Sequence, residues 1–149
     1  MTPKGHALLS PIPGGIYFAM TGDWMFSGLA IAASIFIDID HVFDRLIEER
    51  HLTSLFDMVK SYQSDQIGKV YLLFHSIEFQ LAAFFFFEPI GPIRAVIIGC
   101  LFHIFCDVYQ WVWKERKASP FTYLIIYRMY HSFDFQKLLT PEARSQLAK

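Results

Sequence analysis

The chain has 149 residues, of which 54% are hydrophobic and 18% are charged, and its formal net charge at pH 7 is −1. Its mean hydropathy of +0.32 and its 16 phenylalanines exceed what a soluble domain of this length carries. Lysines and arginines are scattered along the sequence, which argues against a nucleic acid as partner. These properties predict a single membrane-embedded domain over residues 1–149, with membrane lipid as its surroundings.

The first half of the chain predicts one membrane helix followed by a polar surface segment. Asp23 is a residue type that caps helix N-termini, and the apolar run after it predicts a helix over 24–39. Small residues within it, such as Gly28 and Ala30, favour close helix contact in lipid. Residues 42–66 carry many charges with apolar residues at helical spacing, which predicts an amphipathic segment on the membrane surface.

The second half of the chain predicts a helical hairpin. Residues 67–87 are the best spanning segment, and the prolines and the glycine of residues 88–92 end it. The next helix, over 93–113, must then run antiparallel to the first. A shorter apolar helix over 121–130 and a polar tail over 140–149 follow. The predicted fold class is therefore all-α, a polytopic membrane bundle of about four helices.

Histidines and acidic residues interrupt these apolar stretches, where burial without a partner costs free energy. His103 and Asp107 are four residues apart, and His75 and Glu78 are three apart, so each pair shares one face of a helix. In the predicted hairpin, Glu78 lies at the height of His103, and His75 lies at the height of Asp107. The sequence therefore predicts one polar site between the two helices.

A third stretch, Asp38-Ile39-Asp40-His41, can complete this site from the end of the preceding helix. Carboxylate and imidazole ligands without thiolate suit Zn²⁺, Mn²⁺ or Fe²⁺, and the number of carboxylates allows one or two ions. A divalent ion with an open coordination position supports hydrolysis of an ester or phosphoryl bond. Asp40, Glu78 and Asp38 are the candidate catalytic bases.

Two other interpretations of these residues stay open. The same ligands can belong to a non-catalytic metal-binding or transport protein that carries an ion through the bundle. Alternatively, the polar pairs only hold helices together in a structural membrane protein. The polar residues cluster at one level instead of forming a path to both membrane faces, which favours an enzyme over a transporter.

One short pattern occurs twice in the sequence. An aromatic residue, His-Ser, an apolar residue, an acid and Phe-Gln follow one another at 74–80 and again at 130–136. Whether His131 and Asp134 belong to the same site as His75 is left open by this repeat.

The polar motifs follow one another in the order Gly5-His6, Gly22-Asp23-Trp24, Asp38-Ile39-Asp40-His41, His75-Ser76, and His103 with Asp107. This order resembles the YdjM-like family of membrane-bound metal-dependent hydrolases, which are small multi-pass proteins of the prokaryotic inner membrane. The family is distantly related to zinc-dependent phospholipase C and P1 nuclease. The resemblance implies zinc as the metal and a phosphoester or related bond in a lipid or lipid-linked substrate. It implies metal-site roles for His6, Asp38, Asp40, His41, His75, His103 and Asp107.

Overall fold

The computed structural model describes residues 3–49, 68–87 and 91–147, and within these ranges the chain is helical, with isolated β-bridges and no strand. The predicted all-α class is confirmed, whereas the part of the amphipathic segment between residues 50 and 66 lies outside the described residues. The elements are α1 (Pro3–Leu9), α2 (Pro11–Thr21), α3 (Trp24–Phe36), α4 (Ile39–Glu49), α5 (Ile77–Phe87), α6 (Gly91–Val108), a π-helical turn (Tyr109–Lys114), a 3₁₀ turn (Pro120–Tyr123), α7 (Ile125–Tyr130), α8 (Phe135–Leu138) and α9 (Pro141–Leu147).

The reversal between α2 and α3 is built from the residues that the sequence indicates. Gly22 has a φ of 71°, a left-handed conformation that glycine adopts without strain, and it ends α2. The Asp23 carboxylate accepts a hydrogen bond from the Phe26 N–H at 2.9 Å and so caps α3. The helix predicted over 24–39 ends at Phe36, and a turn containing Asp38 leads into α4.

Helices α3 and α6 cross at very close range because both present small residues. A Cβ atom at Gly99 would lie 2.2 Å from the Ala30 carbonyl oxygen and 3.0 Å from the Ala33 Cβ. Ala30 meets Gly99, and four residues further along each helix the Ser34 carbonyl meets His103. The two helices therefore run parallel, and each turn beyond Gly99 brings another pair of residues together.

The prediction of one long helix over 67–87 is wrong in its first half. Residues 68–76 are not helical, and α5 begins only at Ile77. The Asp44 carboxylate accepts hydrogen bonds from the N–H groups of Tyr71 at 2.8 Å and Leu72 at 3.1 Å. These side-chain bonds satisfy backbone groups that would otherwise favour a helix in an apolar setting.

Helices α5 and α6 run antiparallel, as the predicted hairpin requires. Ile77 packs in a cluster with Ile104, while Gln80 further along α5 hydrogen-bonds Cys100, which lies earlier on α6. Height along the hairpin therefore agrees with the sequence-based prediction. The face of α5 that is buried differs from the prediction, since Gln80 and not Glu78 is the buried residue of this helix.

The C-terminal region is more broken than predicted and is part of the fold. The apolar stretch 121–130 forms a 3₁₀ turn and the short helix α7, separated by the extended residue Leu124. In the segment predicted as a polar tail, Ala143 of α9 is buried in a cluster with Val70 and Phe135. The end of the described chain therefore supports the irregular segment 68–76.

Two helical stretches of the described residues are long and apolar enough to cross a membrane, Trp24–Asp44 and Gly91–Lys114. Ile77–Phe87 is apolar but shorter. Many large apolar side chains are exposed, among them Trp24, Phe85 and Phe86.

Substitution of Gly99 by alanine tests the contact between α3 and α6. The added methyl group would overlap the Ala30 carbonyl oxygen, so we expect Gly99→Ala to lower the free energy of unfolding by about 1–3 kcal/mol. Gly28→Ala on α3 is the matched control, because a Cβ there meets nothing within 4 Å and alanine favours helix. Thermal unfolding followed by circular dichroism in detergent measures both, and equal stability of the two variants would contradict the contact.

Candidate metal centre

Histidine and aspartate side chains from separate parts of the chain converge at one buried point. They come from α1, the turn after α3, the start of α4, the irregular segment 68–76 and α6. Three overlapping groups each have ligand atoms within 4.8 Å of one another: His6, Asp38 and His103; Asp38, His41 and His75; and His75, His103 and Asp107.

The imidazole of His103 is held by α3 and directed at two carboxylates. Its Nδ1–H donates to the Ser34 carbonyl oxygen at 2.7 Å, which orients the ring and fixes its tautomer. Its Nε2 atom lies 3.2 Å from Asp38 Oδ1 and 3.2 Å from Asp107 Oδ2. The pairing of His103 and Asp107, four residues apart on α6, follows from helical spacing.

The imidazole of His75 is held like that of His103, but its Nδ1 atom faces a carboxylate instead of a backbone carbonyl. Its Nδ1 lies 3.3 Å from Asp40 Oδ2, and the same oxygen accepts the His75 backbone N–H at 3.0 Å. Its Nε2 lies 3.5 Å from Asp38 Oδ1 and 4.0 Å from Asp107 Oδ2. The Asp40 carboxylate therefore orients His75 from behind, while Asp38 and Asp107 lie in front of it.

Two more histidines border the cluster. His6 Nε2 lies 3.0 Å from Asp107 Oδ1, and the His6 ring stacks on His103 with a centroid distance of 3.8 Å. On the other side, His41 Nε2 lies 3.6 Å from Asp38 Oδ1. His6 is buried, whereas the Asp38 side chain is 36% exposed, so the cluster opens at Asp38.

The donor atoms fit a divalent metal ion. The Nε2 atoms of His75 and His103 are buried and have no hydrogen-bond partner, although carboxylate oxygens lie close to both. Histidines that bind metal present one nitrogen in this way while the other donates to a carbonyl or carboxylate. The separations of 3.2–4.0 Å between these donors are close to the spacing of about 3.3–3.6 Å that four ligands at about 2.0–2.2 Å impose. The buried His/Asp group could therefore hold a metal ion.

The charge balance of the cluster also favours a cation. Burial favours the neutral form of His75, but the carboxylates of Asp38 and Asp40 outweigh it and raise the pKa of this imidazole above its usual value. Several carboxylates facing few fixed positive charges stabilise any cation placed among them, whether a proton or a metal ion.

Most of the residues predicted for the site lie in the cluster. His6, Asp38, His41, His75, His103 and Asp107 each belong to one of its groups, and Asp40 lies behind His75. Glu78 is elsewhere, since its carboxylate accepts the backbone N–H groups of Ile125 and Ile126 and caps α7. Within the described residues His131 and Asp134 lie outside these groups, because Asp134 caps α8 and His131 contacts Tyr127 and Tyr130.

Three supporting groups escaped the sequence-based prediction. The Ser34 carbonyl is a backbone group and leaves no mark in the sequence. Asp44 lies four residues after Asp40, so both side chains share one face of α4. This spacing could have indicated that Asp44 lies near the site. Arg128 is buried at 1% exposure, and a basic residue in the apolar stretch 121–130 was the available signal for it.

Neither a model of a known protein family, nor a curated protein, nor a solved structure matches this chain. The family resemblance in the order of its motifs therefore stays a prediction. What the site can do must be inferred from its own donors, their distances and their burial.

The position of Asp40 behind His75 predicts a graded effect of its removal. In Asp40→Asn the amide still accepts from the His75 backbone but holds the imidazole less firmly, so we expect metal affinity to fall by about 10- to 100-fold without loss of the fold. Asp134→Asn, in the second copy of the pattern, should leave the affinity unchanged. Titration of purified protein with Zn²⁺ in a competing chelator measures both values, and complete loss of binding in Asp40→Asn would instead make Asp40 a direct ligand.

The position of Glu78 predicts the opposite outcome. Glu78→Gln should retain its metal content, because this carboxylate bonds the start of α7 and lies outside the His/Asp groups. We expect the weaker cap to lower the free energy of unfolding by about 1 kcal/mol. Glu142→Gln on α9 is the control for a glutamate outside this cap. Elemental analysis measures the metal content and thermal unfolding measures the stability. A folded but metal-free Glu78→Gln protein would contradict the prediction and show that Glu78 contributes to metal binding.

Proposed function

We propose that this protein is a multi-pass membrane-bound, metal-dependent hydrolase that acts on a phosphoester or related bond in a lipid or lipid-linked substrate. One observation carries the proposal: two buried imidazoles with fixed Nδ1 atoms direct unpaired Nε2 atoms at the same carboxylates. With Nδ1 as the donor, a neutral imidazole presents the lone pair of Nε2 to carboxylate oxygens, and two acceptors in contact are unfavourable unless a cation lies between them. A bound cation removes that cost.

The surface of the molecule supports residence in a membrane. Besides the two apolar helical stretches, exposed large apolar side chains occur on several helices, including Leu8 on α1, Phe36 on α3 and Phe86 on α5. A soluble monomer rarely exposes so much apolar surface, and lipid is the solvent that such a surface suits. We propose that the helices form a bundle that crosses the membrane several times.

In the proposed enzyme, His75, His103 and Asp107 hold the metal ion, which we propose to be zinc. Imidazole and carboxylate ligands suit Zn²⁺, and Mn²⁺ or Fe²⁺ are the alternatives. His6 and His41 lie at opposite sides of this set, so the donors suffice for one or two ions. Such an ion supplies a Lewis acid for the phosphoryl oxygen and a lower pKa for the attacking water.

Asp38 is the residue best placed to move a proton. It is the exposed carboxylate of the cluster, and its Oδ1 atom lies within 3.6 Å of the Nε2 atoms of three histidines, His41, His75 and His103. Water that enters the site meets this carboxylate first, and Asp38 can accept its proton. Asp40 keeps His75 in place during the reaction, which differs from its predicted role as a base.

The surroundings of Asp38 favour a lipid substrate. Phe36, Ile39 and Phe43 lie within five residues of Asp38 in the sequence, and they are 70%, 49% and 48% exposed. A soluble substrate would meet an apolar entrance, whereas a lipid can place its acyl chains on these side chains and its headgroup at the carboxylate. Substrate binding then needs no separate cavity for the chains.

The proposal is tested by metal content and activity on the same samples. Protein purified in detergent without chelator should contain stoichiometric Zn, Mn or Fe by elemental mass spectrometry. His103→Ala and Asp107→Ala should lose the metal while helical circular dichroism persists, and His131→Ala, outside the cluster, should keep it. Hydrolysis should fall by about 100-fold or more in the first two variants when phospholipid vesicles and a soluble phosphodiester are compared as substrates.

Each result separates the candidate functions. Metal-free wild-type protein would leave the His/Asp cluster as a structural contact between helices. Stoichiometric metal without hydrolysis of any phosphoester or ester would favour the non-catalytic metal-binding or transport protein. Faster hydrolysis of the vesicle lipid than of the soluble phosphodiester is expected from the apolar entrance at Phe36, Ile39 and Phe43.

A further inference from the structure

Arg128 on α7 is a buried cation, and two of its three side-chain nitrogens have no hydrogen-bond acceptor among the described residues. Its side chain is 1% exposed, and its Nη1 donates to the Leu72 carbonyl oxygen at 2.8 Å. The Nε and Nη2 atoms are buried and have no hydrogen-bond partner within the described part of the chain. Leaving a guanidinium in this state is costly, because each buried donor without an acceptor loses its interaction with water.

The nearby carboxylates of the described ranges make no hydrogen bond to these donors, and each binds other groups instead. Asp44 accepts from the N–H groups of Tyr71 and Leu72, and Asp40 accepts from His75. Glu78 caps α7. Burial lowers the pKa of the Arg128 guanidinium, while the charges of Asp44, Asp40 and Glu78 oppose that effect at longer range. The positive charge is thus tolerated here, but the Nε and Nη2 atoms still have no acceptor among the residues that the structure describes.

Arg128 is connected to the metal centre through two routes. Leu72, which accepts its Nη1–H, lies three residues before His75 on the same irregular segment. Tyr123 interacts electrostatically with Arg128 and also with Asp107 and Asp38. The guanidinium therefore lies within electrostatic range of Asp40, the carboxylate that orients His75.

We propose that the Nε and Nη2 groups of Arg128 bind an oxyanion of the phosphate class, the phosphoryl group of the substrate or of the product. The inference deepens the proposed hydrolase function and rests on it, since it places a phosphoryl group next to the metal centre. The planar Nε–Nη2 edge of a guanidinium binds two oxygens of a phosphate side by side, which a lysine cannot do. Two unpaired donors on one buried guanidinium are the feature that such an anion would satisfy.

Binding of inorganic phosphate to metal-loaded protein in detergent, measured by isothermal titration calorimetry, tests the inference. Arg128→Lys keeps the charge and loses the fork, so we expect phosphate affinity to fall by about 10- to 100-fold at unchanged metal content. Arg144→Lys is the matched control, because Arg144 also donates to a backbone carbonyl, that of Leu139, through Nε and Nη2. Its phosphate affinity should equal that of the wild type.

Undiminished phosphate affinity in a folded Arg128→Lys protein, or no phosphate binding by the wild type, would overturn the inference. If Arg128→Lys does not fold, the wild-type protein still tests the inference. Phosphate added to it should shift the NMR signal of one buried arginine Nε–H group. Metal content is measured on the same samples. If the protein contains no metal but binds phosphate through Arg128, the hydrolase proposal fails and the anion-binding site is retained. Competition by phosphatidic acid in mixed micelles distinguishes a lipid headgroup from free phosphate as the natural source.

Discussion

The close contact of α3 with α6 determines where the side chains of the His/Asp cluster meet. Without a side chain at Gly99, the two backbones approach until the Ala30 carbonyl nearly touches α6. Because the helices run parallel, one turn further on the Ser34 carbonyl reaches His103, and after another turn Asp38 reaches the same imidazole and lies near Asp107. A wider crossing would separate the carbonyl from the imidazole, and His103 would lose the bond that fixes its tautomer.

The irregular segment 68–76 is the second requirement, because it brings His75 to the same point. A non-helical chain among apolar helices needs partners for its backbone groups. Asp44 binds two of its N–H groups, Arg128 binds the Leu72 carbonyl, and Asp40 binds the His75 N–H. Charged groups of α4 and α7 thus hold the segment that completes the centre. The segment is held by charges of both signs, the carboxylates of Asp40 and Asp44 and the guanidinium of Arg128.

Asp38 and Asp40 show how one short motif serves two purposes. Asp38 lies in the turn between α3 and α4 and faces three imidazoles, whereas Asp40, on the first turn of α4, faces the back of His75. Residues two apart on a helix point in different directions, and here the side chain in the turn, Asp38, is 36% exposed, whereas Asp40 is buried.

The sequence by itself determined the all-α class, the cap at Asp23, the antiparallel arrangement of α5 and α6, and nearly all the members of the His/Asp cluster. It could do so because a histidine or carboxylate inside an apolar segment is costly and therefore conspicuous, and because helical spacing joins His103 to Asp107. Only the tertiary structure decided which atoms face each other. Spacing placed Glu78 at the right height but could not give the face of α5, which depends on packing against α6 and α7. The irregular segment, the Ser34 carbonyl and the buried Arg128 all depend on contacts between residues far apart in sequence, and no local pattern of side chains records those contacts.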